Sequence, residues 1–164
     1  VMIVSRAVSK ERLKFKKVMV STDFSKSCAH AFRFAIKFAQ THGSKLFIFH
    51  MLPVPPSPEY SQADYEADID TVKKKLAALS EETPNGIDSE YGVWGGALPH
   101  LEIEKYAEEN DVDLIVMGSH TKAKEGKWYV GSAVERVSFR SICPVIVVTD
   151  PKALLSLDRE EKHQ

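Results

Sequence analysis

The stretch that decides the fold reads Leu114-Ile-Val-Met-Gly-Ser-His-Thr, and it is followed after a loop by Gly131-Ser-Ala-Val-Glu-Arg-Val. Four consecutive apolar residues that end at Gly118 predict a buried strand, and the residues after Gly131 begin a helical pattern. A glycine-containing turn that leads into a helix exposes backbone N–H groups, which attract anions without any basic side chain. The segment therefore predicts a strand-loop-helix unit whose two glycines can hold a phosphate.

Strand patterns and helical patterns alternate on both sides of this segment. Runs rich in apolar and β-branched residues predict five strands, at residues 17–22, 45–51, 87–93, 114–117 and 145–149. Apolar residues spaced three and four apart predict helices at residues 26–42, 65–79, 99–110 and 131–141. Parallel strands need long crossovers, and these are usually helices packed on the sheet. The order therefore predicts an α/β fold, a doubly wound, five-stranded parallel sheet with helices on both faces.

Three of the predicted helix ends carry their own sequence signals. Ser25 is a suitable N-cap for the first helix, and Gly43 supplies the stop expected just past its end. Pro99 fits the first turn of the third helix, where a missing N–H group has no cost. These signals fix both ends of the first helix and the start of the third.

Length and composition predict a single domain. The 164 residues are 43% hydrophobic and 27% charged, which suits one core. We expect the domain to span residues 17–150, with an N-terminal extension at 1–16 and a C-terminal tail at 151–164. The net charge of -1, without basic residues interleaved with aromatic ones, argues against a nucleic-acid partner.

The cysteines, the histidines and the lengths of the apolar runs indicate the cellular compartment and whether a metal site is expected. Cys28 and Cys143 lie far apart, and neither belongs to a CxxC pair, so we expect neither a disulfide framework nor a zinc site. His50 and His120 have no partner at metal-ligand spacing, which favours hydrogen-bonded structural histidines. No apolar run approaches the roughly 18 residues of a membrane span. We therefore expect a cytoplasmic protein with no membrane partner.

Two strand ends provide the chemistry of a candidate site. In open α/β sheets, ligands bind beyond the carboxyl ends of the strands, at the point where the strand order reverses. Asp23 follows the first predicted strand and Gly118 ends the fourth. If these strands are neighbours, a carboxylate and an amide-lined loop face the same crevice. The alternative for Asp23 is a purely structural role as a cap of the first helix.

Taken together, these residues resemble the universal stress protein family, over about residues 16–149. The resemblance rests on Ser21-Thr-Asp-Phe-Ser, His50, Gly96-Ala-Leu-Pro-His, Val112-Asp-Leu-Ile-Val-Met-Gly-Ser-His, Gly131-Ser132 and Cys143-Pro-Val-Ile-Val-Val. The family fold is a five-stranded α/β sandwich. Its nucleotide-binding branch carries a glycine, two residues, a second glycine, nine residues, and then Gly-Ser or Gly-Thr.

The resemblance implies a site for ATP, or for ADP or AMP, with Mg²⁺ or Mn²⁺ bridging the phosphates. Asp23 would contact the ribose or the ion, and the backbone around Met51 would meet the adenine, with Met117 nearby. The glycine loop and the start of the fourth helix would surround the phosphates. The full set of implied cofactor-binding residues is Ser21, Thr22, Asp23, Met51, Met117, Gly118, Thr121, Gly131, Ser132 and Ala133.

Thr121 is a departure from this motif, because it stands where the family has its second glycine. Forcing a residue with a Cβ into the left-handed backbone conformation costs about 1–2 kcal/mol. That cost corresponds to about tenfold in affinity. If the loop needs a positive φ at this position, nucleotide binding is weakened. If Thr121 changes the course of the loop, binding is lost.

The sequence therefore supports two hypotheses about function. The first is a universal stress protein that binds an adenine nucleotide and acts as a regulatory module, with at most weak ATPase activity. The alternative is the same fold without nucleotide binding, acting as a dimeric protein-interaction module. In both cases the resemblance implies a homodimer formed by pairing of the last strand, Val145–Thr149, and an unidentified protein partner.

Other α/β enzyme classes fit the residues less well. Ser119 and His120 are adjacent on an extended segment, where neighbours point in opposite directions, and no GxSxG elbow is present, which argues against a hydrolase. A receiver domain needs an acidic cluster, but the first strand provides only Asp23. An adenylating enzyme of the PP-loop type needs a glycine-rich loop after that strand, where this chain has Asp23-Phe-Ser-Lys-Ser.

Overall fold

A computed structural model describes residues 1–5, 7–119, 122–124, 127–129 and 131–149, with the backbone alone at 122–124 and 127–129. The strands are β1 (Met2–Ile3), β2 (Lys17–Ser21), β3 (Lys45–Pro53), β4 (Ser89–Gly96), β5 (Leu114–Ser119), β6 (Lys122–Lys124), β7 (Lys127–Tyr129) and β8 (Val145–Thr149). The helices are α1 (Lys26–His42), α2 (Gln62–Glu81), α3 (Pro99–Glu109) and α4 (Ser132–Arg140), and a short 3₁₀ helix covers Arg12–Lys14.

The main sheet has six strands in the order β1-β8-β5-β2-β3-β4. The five strands from β8 to β4 are parallel, which confirms the predicted doubly wound α/β fold. The predicted count of five was one too low, because β1 adds an antiparallel strand at the β8 edge. A strand of two residues is too short to show an alternating apolar and polar pattern in the sequence. It is defined only by its pairing with β8. β6 and β7 form a separate hairpin within the predicted loop.

The strand order reverses between β2 and β5. The chain runs outward from β2 through β3 to β4, and then returns to place β5 on the other side of β2. Ser21 at the end of β2 lies opposite Met117 in β5, in parallel register. The two strand ends that the sequence identified are therefore neighbours, and the crevice expected at such a reversal opens beside them.

Two apolar layers cover the sheet. The first contains residues of α1 and α2 and one face of the strands, such as Ala35, Val72 and Ile48. The second contains residues of α3 and α4 and the other face, such as Ile103 and Val137. Because both faces are covered, the central strands read as continuous apolar runs rather than alternating ones.

The predicted helix ends lie where the sequence placed them. The Ser25 side chain accepts a hydrogen bond from the Cys28 backbone N–H at 3.3 Å, and Gly43 ends α1 in the left-handed conformation with φ 61°. Pro99 occupies the first turn of α3. Helix α2 begins with a capping box that was not predicted, in which Ser61 and Asp64 each accept a hydrogen bond from the other's backbone N–H.

Strand β1 occupies the edge of the sheet that was expected to pair across two chains. Met2 lies opposite Ile146 and Ile3 opposite Val145, and the Val147 N–H donates to the Val1 carbonyl oxygen at 2.8 Å. Residues 1–16 were predicted as an extension of the domain, but Met2–Ile3 belongs to its sheet. A second chain could pair along Val145–Thr149 only after β1 left this edge.

The described helices include none that is both long and apolar enough to cross a membrane. The tail predicted at 151–164 lies outside the described residues.

Candidate functional site

A cavity of about 470 Å³ opens at the carboxyl ends of β2, β3 and β5, beside the start of α4. Its volume lies in the usual range of small-molecule sites, about 300–1,000 Å³. Nine of the ten residues implied by the family resemblance line it: Ser21, Thr22, Asp23, Met51, Met117, Gly118, Gly131, Ser132 and Ala133. The tenth, Thr121, lies outside the described residues.

A groove of similar size, about 440 Å³, lies at the opposite edge of the sheet. It is bounded by the end of α1 and by the turn before β4, with Lys16, Ser44 and Asp88 among its lining residues. These residues sit at the amino ends of the strands, whereas ligands of α/β sheets bind at the carboxyl ends. We therefore take the cavity beside Asp23 as the candidate site.

The loop from Thr22 to Ser25 connects β2 to α1 and carries the only carboxylate among the residues described as lining the cavity. Ser25, not Asp23, provides the side-chain cap of α1. The Ser25 backbone N–H donates to Asp23 Oδ1 at 2.8 Å, so Asp23 closes an Asx turn within the loop. The helix cap considered as the alternative role of Asp23 is thus provided by Ser25, whereas the Asp23 side chain organises the turn and also borders the cavity.

His50 lies at the end of β3 and holds the same loop from behind. Its ring Nδ1–H donates to the Thr22 carbonyl oxygen at 2.8 Å, as expected for a structural histidine. A carbonyl can only accept, so the proton on Nδ1 is fixed and a neutral ring carries none on Nε2. Burial lowers the pKa of His50 below its ordinary value of 6.5. The ring is therefore neutral at pH 7.

Gly118 is required because β5 and α1 approach closely. A Cβ at this position would lie 2.6 Å from the backbone carbonyl carbon and oxygen of Ser27 and 2.7 Å from the backbone nitrogen of Cys28. Backbone atoms cannot move aside as the end of a flexible side chain can. The glycine therefore lets the first turn of α1 pack against the end of β5, which brings the Asp23 loop to the cavity.

No described neighbour requires a glycine at position 131, in contrast to position 118. It precedes α4 with φ -55° and ψ 142°, a conformation open to any residue, and a Cβ would meet no described atom within 4 Å. The next residues begin α4, and the first N–H groups of a helix have no partners inside it. Ser132, Ala133 and Val134 all line the cavity. An uncrowded glycine and a helix start thus border the same space.

The remaining wall of the cavity is mostly apolar. Met51 and Met117 border it from β3 and β5, and Pro99 and Ile103 border it from α3. Pro99 was predicted only as part of a helix start, and Ile103 and Pro53 were not among the predicted site residues. The signal that could have found them is the position of α3, because a helix that begins near the carboxyl ends of the strands puts its first turn beside the crevice.

The residues around the cavity give limited support for a metal ion. Among the described residues, no group of three or more His, Cys, Asp or Glu side chains is placed to hold one. Asp23 is the single carboxylate in the described lining, and burial raises the pKa of the Cys28 thiol. Mg²⁺ commonly binds one or two carboxylates together with substrate phosphates and water. Asp23 alone thus fits an ion that a bound phosphate helps to hold.

Comparison with known proteins identifies a family for this chain. The model of the universal stress protein family matches residues 14–149. The universal stress protein MJ0531 of Methanocaldococcus jannaschii is 27% identical over 146 residues, which cover 84% of each chain.

Solved structures share the fold as well. The structure of MJ0577, a universal stress protein of the same organism, is 27% identical with a TM-score of 0.70, covering 84% of this chain and 97% of that one. The structure of a universal stress protein in complex with cAMP is 25% identical with a TM-score of 0.63, covering 82% and 97%. The chain described here belongs to the universal stress protein family.

Proposed function

We propose that this protein binds an adenine nucleotide in the cavity beside Asp23 and acts as a regulatory module in the stress response. The observation that carries the proposal is the convergence of a carboxylate, an uncrowded glycine and a helix start on one cavity of suitable size. This combination suits a nucleotide, because it offers an apolar wall, one acidic group and N–H groups that have no partner inside their own helix.

Each part of the nucleotide has a chemical counterpart in the lining. The adenine would lie against Met51, Met117 and Ile103, whose side chains provide an apolar surface. The ribose would lie beside Asp23. The phosphates would lie at the start of α4, where backbone N–H groups and the helix dipole favour negative charge, and Ser132 would add a hydroxyl donor. The related protein in complex with cAMP supports an adenine ligand.

A divalent ion, Mg²⁺ or Mn²⁺, would join the site only together with the phosphates. Asp23 would be its ligand from the protein, with phosphate oxygens and water completing the coordination. When bound, such an ion would neutralise phosphate charge. The proposal therefore includes ATP, ADP and AMP as ligands, with an ion needed most by the longer phosphate chains.

The proposal assigns at most weak ATPase activity. A general base must reach the attacking water with a free acceptor and a suitable pKa. The titratable groups in the described lining are Asp23, Cys28 and His50. The Asp23 carboxylate closes a turn with the Ser25 N–H, burial raises the pKa of the Cys28 thiol, and burial lowers the pKa of His50 and so makes its ring a weaker base. These features favour slow hydrolysis at most.

The regulatory part of the proposal concerns how nucleotide binding would change a surface that a partner contacts. We propose that the nucleotide acts through the segment from Ser119 to Val130, because a ligand-dependent change in one segment is enough to alter a partner's binding surface. We also propose a cytoplasmic location and a homodimer through Val145–Thr149. Since β1 covers Val145, Ile146 and Val147, that dimer needs β1 to move.

Isothermal titration of the purified protein with ATP, ADP and AMP, with and without Mg²⁺, tests the proposal. We expect micromolar to submillimolar binding that Gly131→Val weakens strongly, because the added side chain enters an uncrowded space that the ligand would fill. Ala78→Val on the exposed side of α2 is the matched control and should bind as the parent does. No heat of binding at millimolar nucleotide would overturn the proposal.

The second candidate function is a protein-interaction module that has lost nucleotide binding, and Thr121 in place of the motif glycine favours it. It predicts no binding of any adenine nucleotide and a self-association that nucleotide leaves unchanged. The calorimetric titration separates it from the first, because only the first predicts a heat of nucleotide binding. A third activity, ATP hydrolysis with many turnovers that Asp23→Ala abolishes, would contradict both.

A further inference from the structure

We propose that Phe24 is a positioning residue, one that holds the Asp23 carboxylate at the nucleotide cavity without lining that cavity itself. The proposal rests on the nucleotide site proposed above. Phe24 is not among the residues described as lining the cavity, whereas its chain neighbour Asp23 is. Any effect of Phe24 on binding must therefore pass through a neighbour that does line the cavity, namely Asp23 in the loop or His50.

The backbone at Phe24 adopts an unfavourable conformation. Its φ is 63°, in the left-handed region that residues with a Cβ avoid, and bulky aromatic residues avoid it more than most. Strain of this kind persists only when the surroundings fix the residue, and it is frequent beside ligand sites. A positive φ at Phe24 turns the chain sharply between β2 and α1.

Hydrogen bonds within the loop depend on this turn. The Phe24 N–H donates to Thr22 Oγ1 at 3.0 Å, and the Ser25 N–H donates to Asp23 Oδ1 at 2.8 Å. The Asp23 N–H donates to Cys28 Sγ at 3.5 Å. The orientation of the Asp23 carboxylate is therefore tied to the backbone on both sides of Phe24. A relaxed φ at Phe24 would move the Ser25 N–H away from the carboxylate.

The Phe24 ring is held from two other elements. It lies 4.7 Å from the His50 ring of β3, centroid to centroid, with 31° between the planes. Lys75 of α2 places its Nζ 5.3 Å from the ring centroid, within the range of a cation–π contact. His50 also donates to the Thr22 carbonyl oxygen. The same histidine thus fixes the start of the loop and the ring in its middle.

These contacts explain why a strained conformation survives at an aromatic residue. Glycine would adopt the positive φ without strain, but it would offer no ring to His50 and Lys75 and would leave the loop free to move. Alanine would keep the strain and lose the contacts. An aromatic ring at position 24 is the choice that fixes the carboxylate, and tyrosine should serve as phenylalanine does.

Titration calorimetry with ATP on matched variants tests the inference. We expect Phe24→Ala to weaken binding about tenfold, in the range of coupling between contacting residues, and Phe24→Tyr to restore it. Lys75→Met should weaken binding and Lys75→Arg should not, because the guanidinium also stacks on aromatic rings. In an Asp23→Asn background, Phe24→Ala should have little further effect, since the group it positions is already changed.

The outcomes separate this inference from the proposed function. Equal affinities of the parent and a folded Phe24→Ala variant, or additive effects in the double variant, would overturn the positioning role. If the parent binds no nucleotide, the proposed function fails. NMR of the free protein then tests whether Phe24 holds the Asp23 loop in place. Slow solvent exchange of the Ser25 amide that is lost in Phe24→Ala and returns in Phe24→Tyr supports positioning, and equally slow exchange in Phe24→Ala contradicts it.

Discussion

At the scale of single residues, Gly118 and Gly131 border the same cavity for different reasons. Gly118 lies against the backbone of α1 at Ser27, where an added Cβ would lie within 2.6 Å of two atoms. Gly131 faces open space among the described residues, in a conformation that any residue adopts. The same residue type therefore serves packing at the strand end and access at the helix start.

This difference predicts opposite results for one substitution made at both positions. Gly118→Ser should lower the free energy of unfolding by about 1–3 kcal/mol, because overpacking against backbone cannot be relieved by a new rotamer. Gly131→Ser should change it by less than about 0.5 kcal/mol, because serine is a good N-cap and nothing crowds it. Urea denaturation measures both values. Equal losses of stability would contradict the packing role of Gly118.

The pKa of His50 predicts how stability changes with pH. Burial is the main cause of its lowered pKa; Asp23 opposes the shift and Lys75 adds to it. The folded state therefore binds a proton more weakly than the unfolded state, so this contribution to stability is present above pH 6.5 and decreases as the pH falls towards the folded pKa. We expect the melting temperature to fall between pH 7 and 5.

His50→Gln is the variant that isolates this contribution. Glutamine keeps a donor for the Thr22 carbonyl but does not titrate, so the decline between pH 7 and 5 should become shallower. His30→Gln, at a half-exposed position on α1, is the matched control and should leave the decline unchanged. An equal decline in all three proteins would contradict the assignment to His50.

At the scale of elements, the start of α2 depends on its capping box. Ser61 and Asp64 exchange backbone hydrogen bonds, and their side chains also bond at 2.7 Å. The hydrogen bonds from the Ser61 hydroxyl and then from its backbone lower the pKa of Asp64. Ser61→Ala should lower the free energy of unfolding by about 1 kcal/mol. Denaturation of this variant, with the exposed Asp70→Asn as the control, checks the value; no loss would contradict the cap.

Elements with a strong local signal could be predicted from the sequence, and those without one could not. β2, β5 and β8 are continuous apolar runs, and each was found within two residues of its predicted bounds. β4 was predicted at 87–93 and lies at Ser89–Gly96, because its three glycines obscure the pattern that marks a strand. The site residues followed from family motifs, whereas the positive φ of Phe24 leaves no trace in the sequence.

At the scale of the whole molecule, the order of the strands brings the residues of the candidate site together. Nothing local to Asp23 or Gly118 shows that β2 and β5 are neighbours, because their pairing joins residues almost a hundred positions apart. The reversal rule for α/β sheets and the family resemblance made that adjacency a condition of the predicted site, and the observed strand order establishes it. The approach of α1 to β5 at Gly118 and the pairing of β1 with β8 are long-range contacts that neither source predicted.

The covered β8 edge predicts how self-association depends on β1. Removing residues 1–4 should expose the backbone of Val145–Val147 and promote dimers, because an unpaired apolar edge strand seeks another strand. Light scattering after size-exclusion chromatography measures the mass. Replacing Val4, which is exposed and follows β1, with threonine is the control and should not change it. An unchanged mass after removal would contradict a shielding role for β1.

The pairing of β1 with β8 also has a consequence for the order in which the strands dock during folding. Val1 and Val147 are 146 positions apart, so their contact closes nearly the whole described chain into a loop. Loop closure of that length is costly until the intervening sheet has formed. During synthesis β1 leaves the ribosome long before β8, so it has no partner until β8 emerges. We therefore expect β1 to dock last in folding, and its amides to exchange with solvent before those of β2, β3 and β5.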